Sequence, residues 1–345
     1  MQFDDPGLPA PAGLMGDILG LEDPEQIKFI EQVAGALGKI SPSLLPQTLV
    51  HPLRERIMAG PTSFAELAKL LEAEADPKDQ ALLLDAIARI TDRWGPPDEE
   101  VLAVVRRVMS ATKDEAVTTL SAKALALAGD EDFLRHNLNF LASEDPAAVR
   151  RSAMLMGFGR YAPAVQPLLV QLRPDNMVCA DMIVWALGEI GDDDALPKLH
   201  DMIEQFELAE DVSDALGRIG ALRSMEPLSH VIFEGVASQR ERACGALLAI
   251  VQLRKEDLGT MSRDKLRMTF DAVMKRETSK LAKFYAMMGL ITIDEKMDRS
   301  KILRTLGAEI VKKDLDAMTA LYMDRAKRLS GKGGVRRPPR KKKPV

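Results

Sequence analysis

The run Ala186-Leu-Gly-Glu-Ile-Gly191 returns 29 residues later as Ala215-Leu-Gly-Arg-Ile-Gly220. Two looser copies precede these runs, and the four copies align on one apolar position at spacings of 31, 31 and 29 residues: Leu125, Met156, Leu187 and Leu216. After three of the copies, a second apolar segment carries a leucine and a proline in the same turn: Leu168 with Pro167, Leu199 with Pro197, and Leu228 with Pro227. Self-similarity at such a period indicates stacked units, each made of a helix, a tight turn and a second helix.

The first segment of each unit has the apolar pattern of a helix that is buried on one face. Its apolar residues fall at positions i, i+4, i+7, i+8 and i+11, as in Cys179, Ile183, Ala186, Leu187 and Ile190. This spacing places them on one side of a helix with 3.6 residues per turn. We expect the helices to end at Gly129, Gly191 and Gly220, because glycine adopts the left-handed conformation without steric cost.

The composition favours helices over the rest of the chain. Apolar residues make up 46% of the sequence, aromatic residues only 4%, and there are 18 methionines. Strong helix formers dominate and strand-forming runs are nearly absent, so we predict essentially no strand. Beyond the clear units, we predict helices at 23–39, 43–58, 63–75, 78–93, 98–111, 114–128, 131–143, 239–252, 263–276, 278–291, 299–312 and 315–329.

One of the units resembles a known repeat family. Asp145-Pro-Ala-Ala-Val149-Arg150-Arg151-Ser-Ala153, with the glycines and the Ala164-Val-Gln-Pro-Leu-Leu helix that follow, resembles the HEAT repeat. The short, Gly-ended form is similar to the repeats of phycobilisome bilin lyases. The resemblance implies that Asp145 ends an inter-helical turn, that Val149 packs inward, and that Arg150 or Arg151 bonds to neighbouring turns. It is clear over residues 114–235.

The predicted fold class is therefore all-α: a right-handed α-solenoid of stacked helical hairpins, a superhelix of the HEAT or armadillo kind. We predict a partly disordered N-terminal arm at 1–22, the solenoid at 23–329 and a disordered basic tail at 330–345. The tail holds seven basic residues and no acidic one: Lys332, Arg336, Arg337, Arg340, Lys341, Lys342 and Lys343. The rest of the chain holds 40 basic and 52 acidic residues, so an acidic body ends in a basic segment.

In a stacked array, one helix of every pair lines the inner surface. The resemblance assigns this place to the helix with the Val-Arg pattern, and its non-core positions are the predicted partner-binding residues. They form three rows: Arg150, Asp181 and Glu210; Met154, Trp185 and Asp214; and Phe158, Glu189 and Arg218. Trp185 has two interpretations, an exposed anchor for a partner or a core residue folded over the adjacent helix.

The sequence offers no motif for catalysis or metal binding. The four histidines, His51, His136, His200 and His230, lie far apart, and none has metal-ligand spacing to another histidine or to a cysteine. The Asp192-Asp193-Asp194 run follows a glycine, where aspartates commonly cap the next helix. We therefore predict no enzyme, no cofactor and no metal site.

Other features concern the location of the protein. Cys179 and Cys244 lie in apolar helical windows, which is typical of buried thiols in a reducing compartment. The first residues lack the pattern of a signal peptide, and no window approaches 18 uninterrupted apolar residues. A cytoplasmic location without a membrane span is the prediction.

These observations favour a non-catalytic scaffold or adaptor that binds a protein or peptide partner on the concave face. The alternative is a protein that associates with nucleic acid, or with another acidic partner, through the basic tail. A lyase or DNA glycosylase of the helical-repeat type is supported by fold analogy alone. The partner's identity, the oligomeric state and whether the tail binds the solenoid itself stay open at the level of sequence.

Overall fold

The computed structural model describes residues 64–172, 179–205, 207–277 and 279–293. The chain divides into two compact units. Among the described residues, the first unit holds 64–92 and 96–128, and the second holds 93–95 and 129–293. Within these ranges the regular structure is α-helix and short 3₁₀ turns, which confirms the predicted all-α stack of helical hairpins. The arm at 1–22, the tail at 330–345 and the helices predicted at 23–39, 43–58, 299–312 and 315–329 lie outside the described residues.

The described part of the first unit holds α1 (Phe64–Ala73), α2 (Pro77–Trp94, whose last two residues belong to the second unit), α3 (Glu99–Ala111) and α4 (Glu115–Ala128). The helix α1 packs against α3, which in turn packs against α4. Each helix turns an apolar face inward, and the fully buried leucines of this unit include Leu67, Leu71, Leu83 and Leu84. The unit therefore has a small hydrophobic core of its own.

Ten helices lie in the described residues of the second unit. They are α5 (Glu131–Leu138), α6 (Pro146–Phe158), α7 (Val165–Gln171), α8 (Ala180–Ile190), α9 (Leu196–Met202), α10 (Ala209–Ile219), α11 (Met225–Glu234), α12 (Ala237–Leu253), α13 (Thr260–Arg276) and α14 (Lys280–Ile293). The helices α6, α8, α10, α12 and α14 pack each against the next, and we call them the first-helix layer. The second helices, α7, α9, α11 and α13, pack against the first helix that follows each of them.

The turns between paired helices follow the sequence prediction closely. Gly129, Gly191 and Gly220 all adopt the left-handed conformation, with φ of 70°, 72° and 72°. The side chain of Asp145 caps α6 by accepting a hydrogen bond from the amide of Ala147 at 3.0 Å. Three second helices begin with a 3₁₀ turn, at 162–164, 193–195 and 222–224. The side chain of Asp192 accepts the amide hydrogen of Asp194 in one of them, so the predicted capping role is confirmed.

Two local details differ from the sequence pattern. The helix predicted at 131–143 ends at Leu138 and continues as a 3₁₀ turn over 139–142, a common tightening of the last turn. Gly159 stays right-handed, with φ of −75°, and Arg160 takes the left-handed conformation with φ of 45°. The left-handed residue after α6 therefore lies at the same aligned position as Gly191 and Gly220, four residues after Met156, but it is an arginine in place of a glycine.

Consecutive first helices approach each other through small residues. A Cβ atom added at Gly188 would lie 2.7 Å from the Cα of Ala215, and one added at Gly217 would lie 2.8 Å from the Cα of Ala246. Backbone Cα atoms cannot move aside as a flexible side chain can. These glycines therefore set the spacing of the layer.

The same contact identifies α12 as a further copy of the repeat. Ala246 meets Gly217 as Ala215 meets Gly188, so Leu247 is the counterpart of Leu216, 31 residues before it. The register of the repeat thus continues beyond the region where the sequence resemblance is clear. None of the described helices has the length and apolar character that a membrane crossing requires.

We predict that Gly188→Ser lowers the free energy of unfolding by about 1–3 kcal/mol, the usual cost of overpacking. Helix propensity alone favours serine over glycine, so a loss of stability would report the helix contact. Urea denaturation measures the effect. The matched control is Gly259→Ser, because a Cβ atom at Gly259 meets nothing within 4 Å. A Gly188→Ser protein as stable as the control would contradict the packing argument.

Candidate functional site

All nine predicted partner-binding residues lie on the first-helix layer, and none of them is fully buried. Three come from each of three consecutive first helices: Arg150, Met154 and Phe158 from α6; Asp181, Trp185 and Glu189 from α8; Glu210, Asp214 and Arg218 from α10. Each helix presents them at intervals of four residues, which keeps them on one side of the helix. We call the surface that they form the layer surface.

Arg150 and Asp181 join α6 to α8 across the layer surface. The guanidinium donates two hydrogen bonds to the carboxylate, from Nη1 to Oδ1 at 2.8 Å and from Nη2 to Oδ2 at 2.6 Å. This bidentate bond lowers the pKa of Asp181 and raises the pKa of Arg150. The two side chains keep 47% and 44% of their area exposed. Of the two arginines that the family resemblance assigned to bonding with neighbouring turns, Arg150 thus bonds to the first turn of the helix α8 and not to an inter-helical turn.

Two other groups of charged residues bridge consecutive first helices. The Glu189 carboxylate lies 3.1 Å from Arg218 on α10 and 3.9 Å from Arg160, which follows α6. On α12, Arg242 lies 3.0 Å from Asp214 and 3.8 Å from Glu210. Most of the predicted charged positions thus pair with the next repeat.

Sequence reasoning missed the part of the layer surface that α12 supplies. With Leu247 as the aligned position, Glu241 continues the row of Arg150, Asp181 and Glu210, and Gly245 continues the row of Met154, Trp185 and Asp214. The apolar spacing of 31 residues from Leu216 to Leu247 was the available signal. It was hidden because α12 lacks the glycine-ended run of the earlier units.

The aromatic residues of the layer surface pack against each other across two repeats. The rings of Phe158 and Trp185 meet edge to face, with centroids 5.3 Å apart and an angle of 77° between their planes. The indole of Trp185 also lies directly over Gly157, where a Cβ atom would collide with it. Both aromatic residues, and Met154 on the same face, are half-buried. Trp185 therefore folds back onto α6 while keeping part of its ring in contact with solvent.

The cysteines are free and buried, and they help to hold neighbouring helices together. The thiol of Cys179 lies 3.3 Å from the carbonyl oxygen of Pro146, and that of Cys244 lies 3.5 Å from the carbonyl oxygen of Ala282. Burial raises the pKa of Cys179 and, much more strongly, that of Cys244. A high pKa suppresses the nucleophilic thiolate, so these thiols act as packing groups.

The histidines and carboxylates of the described residues form no group of three or more that could hold a metal ion. The Nε2 of His200 lies 3.0 Å from the hydroxyl of Ser224, and burial lowers the pKa of this histidine. The side chain of His200, on α9, thus contacts the 3₁₀ turn before α11. His51 lies outside the described residues.

One comparison with known proteins supports the repeat. Residues 181–205 match the family model of the PBS lyase HEAT-like repeat, the short form that the sequence resembles. A solved structure, the complex of CpcE and CpcF of phycocyanin lyase from Nostoc sp. PCC7120, is 16% identical and gives a TM-score of 0.42 over 73% of this chain and 96% of that chain. An engineered protein is 15% identical, with a TM-score of 0.29 over 67% and 96%. These two likenesses are too distant to support any conclusion about this chain, and no curated protein matches significantly.

One sequence prediction is corrected by these findings. The absence of a histidine or cysteine motif led to the prediction that the chain is not an enzyme. The repeat that matches residues 181–205 is named for a lyase, so repeats of this kind occur in enzymes, and that prediction is wrong. The physical reason is that the repeat fixes core and turn residues only. Its exposed side chains vary independently of the fold, so the fold does not decide whether they carry out chemistry.

The bond between Arg150 and Asp181 predicts a pH-dependent coupling. A double-mutant cycle of Arg150→Ala and Asp181→Ala should give a coupling free energy of about 0.3–1 kcal/mol near neutral pH, because the pair is half exposed. The folded-state pKa of Asp181 is lowered, so this contribution is present above the ordinary carboxyl pKa of about 4 and is lost as the pH falls through the lower folded-state value.

Urea denaturation at several pH and salt values measures that coupling, which salt should reduce. The control cycle pairs Asp181→Ala with Arg151→Ala, since the bidentate bond comes from Arg150. Equal coupling in both cycles would show that the observed bond contributes nothing specific.

Proposed function

We propose that the chain, a HEAT-like repeat protein, binds a protein or peptide partner on its layer surface. The supporting observation is an apolar patch of Met154, Phe158 and Trp185, half-buried and placed between rows of charged side chains. On one side lie Arg150 and Asp181, and on the other lies Glu189 with its two arginines. An apolar centre with a polar rim is the usual anatomy of a protein interface.

The packing of Trp185 suits the role of an anchor. Its ring is held in place by Phe158 and by the surface of α6, so binding would order few additional rotamers. Such preorganisation lowers the entropic cost of association. The two interpretations of Trp185 are therefore compatible, because a ring folded onto the adjacent helix still presents its outer part to a partner.

The charges near the patch indicate the kind of partner. Asp211, on the exposed side of α10, has a raised pKa because of desolvation and because of the carboxylates of Asp181 and Asp214. Desolvation is the largest cause, and the two neighbouring carboxylates that add to it mean that negative charges lie close together at this part of α10. The fitting partner therefore carries an apolar anchor residue with basic residues beside it, and the acidic surface would also speed its association.

The prediction for this surface is that Trp185→Ala weakens partner binding by about tenfold or more, as loss of a central aromatic anchor does. The partner is first identified with a photo-reactive benzoylphenylalanine in place of Met154, in cells that make the protein naturally, and its affinity for the purified chain is then measured by calorimetry. Trp185→Phe should retain most of the affinity, because a ring at this position is retained.

The matched control is Phe233→Ala. Phe233 lies on the second helix α11 and is 47% exposed, so its loss should leave the affinity unchanged. A folded Trp185→Ala protein that binds as tightly as the Phe233→Ala protein would rule out the patch as the binding surface.

A second candidate function is a lyase that works with a partner protein. The match of residues 181–205 to the PBS lyase repeat favours it. Titration of the purified chain with a free bilin tests this candidate, because a bound bilin changes its visible absorption spectrum. An unchanged spectrum at every protein concentration would count against it. The nucleic-acid association through the tail and the cytoplasmic location stay predictions.

A further inference from the structure

The row of Met154, Trp185 and Asp214 has a gap at its fourth position. There the residue is Gly245 on α12, which has no side chain to fill the space that the other members occupy. A Cβ atom at Gly245 would meet the ring of Tyr285 on α14, with Cε2 at 3.0 Å and Cζ at 3.4 Å. The half-buried ring of Tyr285 therefore packs against the backbone of α12 and takes part of that space, and Tyr285 also lines the pocket that lies there.

A pocket of about 210 Å³ lies at this gap, between α10, α12 and α14. Its walls combine carboxylates, one guanidinium, an apolar side chain and an aromatic ring. The lining residues are Asp214, Glu241, Arg242, Gly245, Leu281 and Tyr285. All of them belong to the second unit, so one compact body forms the whole pocket.

The two carboxylates of the pocket have acceptor capacity beyond the bonds that they make. Asp214 accepts one hydrogen bond from Nη1 of Arg242 at 3.0 Å, and Glu241 accepts one from the hydroxyl of Ser279. An ionised carboxylate offers about four acceptor sites. Two carboxylates against one guanidinium also leave the lining with a net negative charge.

These features together suit a flat or compact cation. A guanidinium or ammonium group is attracted to the face of a tyrosine ring, and it can donate hydrogen bonds to carboxylates at the same time. The volume is sufficient for the end of one basic side chain. An anionic or purely apolar group would lose the hydration of the carboxylates without replacing it.

We propose that this pocket, which we call the Gly245 pocket, binds a basic side chain from the segment 330–345 of the same chain. The segment carries seven basic residues and no acidic one, while the rest of the chain has twelve more acidic than basic residues. This is the part of the chain whose charge complements the pocket.

The length of the chain permits this contact. Tyr285 lies eight residues before Ile293, the end of α14, which is about 12 Å along the helix at 1.5 Å per residue. The 36 residues between Ile293 and residue 330 would cover about 54 Å even in the most compact regular form, a continuous helix. Because the ligand is part of this chain, the contact is independent of the proposed external partner.

The test uses the full chain in which all seven basic residues of the segment are replaced by glutamine, so that its own segment no longer competes. A fluorescently labelled peptide with the sequence of residues 330–345 is titrated with this chain, and its anisotropy is measured. We expect binding that weakens with salt, and binding at least tenfold weaker to the wild-type chain, whose own segment occupies the pocket.

Variants of the pocket in the glutamine-substituted chain locate the site. Asp214→Asn with Glu241→Gln should weaken peptide binding about tenfold. The matched control, Glu226→Gln with Glu234→Gln, neutralises two exposed carboxylates on α11 and should change binding less than twofold. Tyr285→Phe should retain the affinity, and Tyr285→Leu should lower it severalfold, because only the phenylalanine ring can replace the tyrosine face. Urea denaturation confirms that each variant is folded.

Several outcomes would overturn the proposal. One is equal peptide affinity of the pocket variant and the control variant, and another is no peptide binding at all. A third outcome is that the wild-type chain binds RNA or DNA, while the glutamine-substituted chain binds neither nucleic acid nor the peptide. This outcome would show that the segment binds nucleic acid instead of the pocket. Self-association of the wild-type chain but not of the glutamine-substituted chain would show that the segment binds the pocket of a second copy. Trp185→Ala should leave peptide binding intact, so failure here is distinguishable from failure of the proposed partner surface.

Discussion

The close approach of backbones between consecutive first helices is the constraint on which the rest of the second unit depends. Gly188 and Gly217 lie so near to Ala215 and Ala246 that a single added carbon atom would meet main-chain atoms. A contact of this kind has one register, since sliding one helix by a residue would place a larger side chain against the neighbouring backbone. The glycines therefore fix both the spacing and the alignment of the repeats.

The layer surface follows from that alignment. Because equivalent positions of neighbouring helices lie side by side, Arg150 reaches Asp181, and Glu189 reaches Arg218. The same register brings the rings of Phe158 and Trp185 together. Individually these surface contacts stabilise the fold only modestly. Their importance is that they place an apolar patch and charged rows in fixed positions over several repeats.

Variation along the rows gives the layer surface its chemical differences. One row runs from Met154 through Trp185 and Asp214 to Gly245. Its side chains are apolar, aromatic and acidic in turn, and the last position has no side chain. The aromatic end suits an apolar anchor, while the end with Gly245 forms the pocket over Tyr285. A repeat protein can therefore change its binding properties at one position while its buried leucines and glycines keep the fold.

The sequence by itself determined the repeat, its helical faces and its turns, because periodic apolar residues and glycines with positive φ act locally. It also identified the layer residues, since spacings of about 30 residues align them. Only the tertiary structure decided how these residues are used. Whether Arg150 pairs with Asp181, how deeply Trp185 is buried, and that α12 continues the register to Gly245 depend on neighbouring helices. Such contacts join residues about 30 positions apart, and no local pattern encodes the rotamers and distances that produce them.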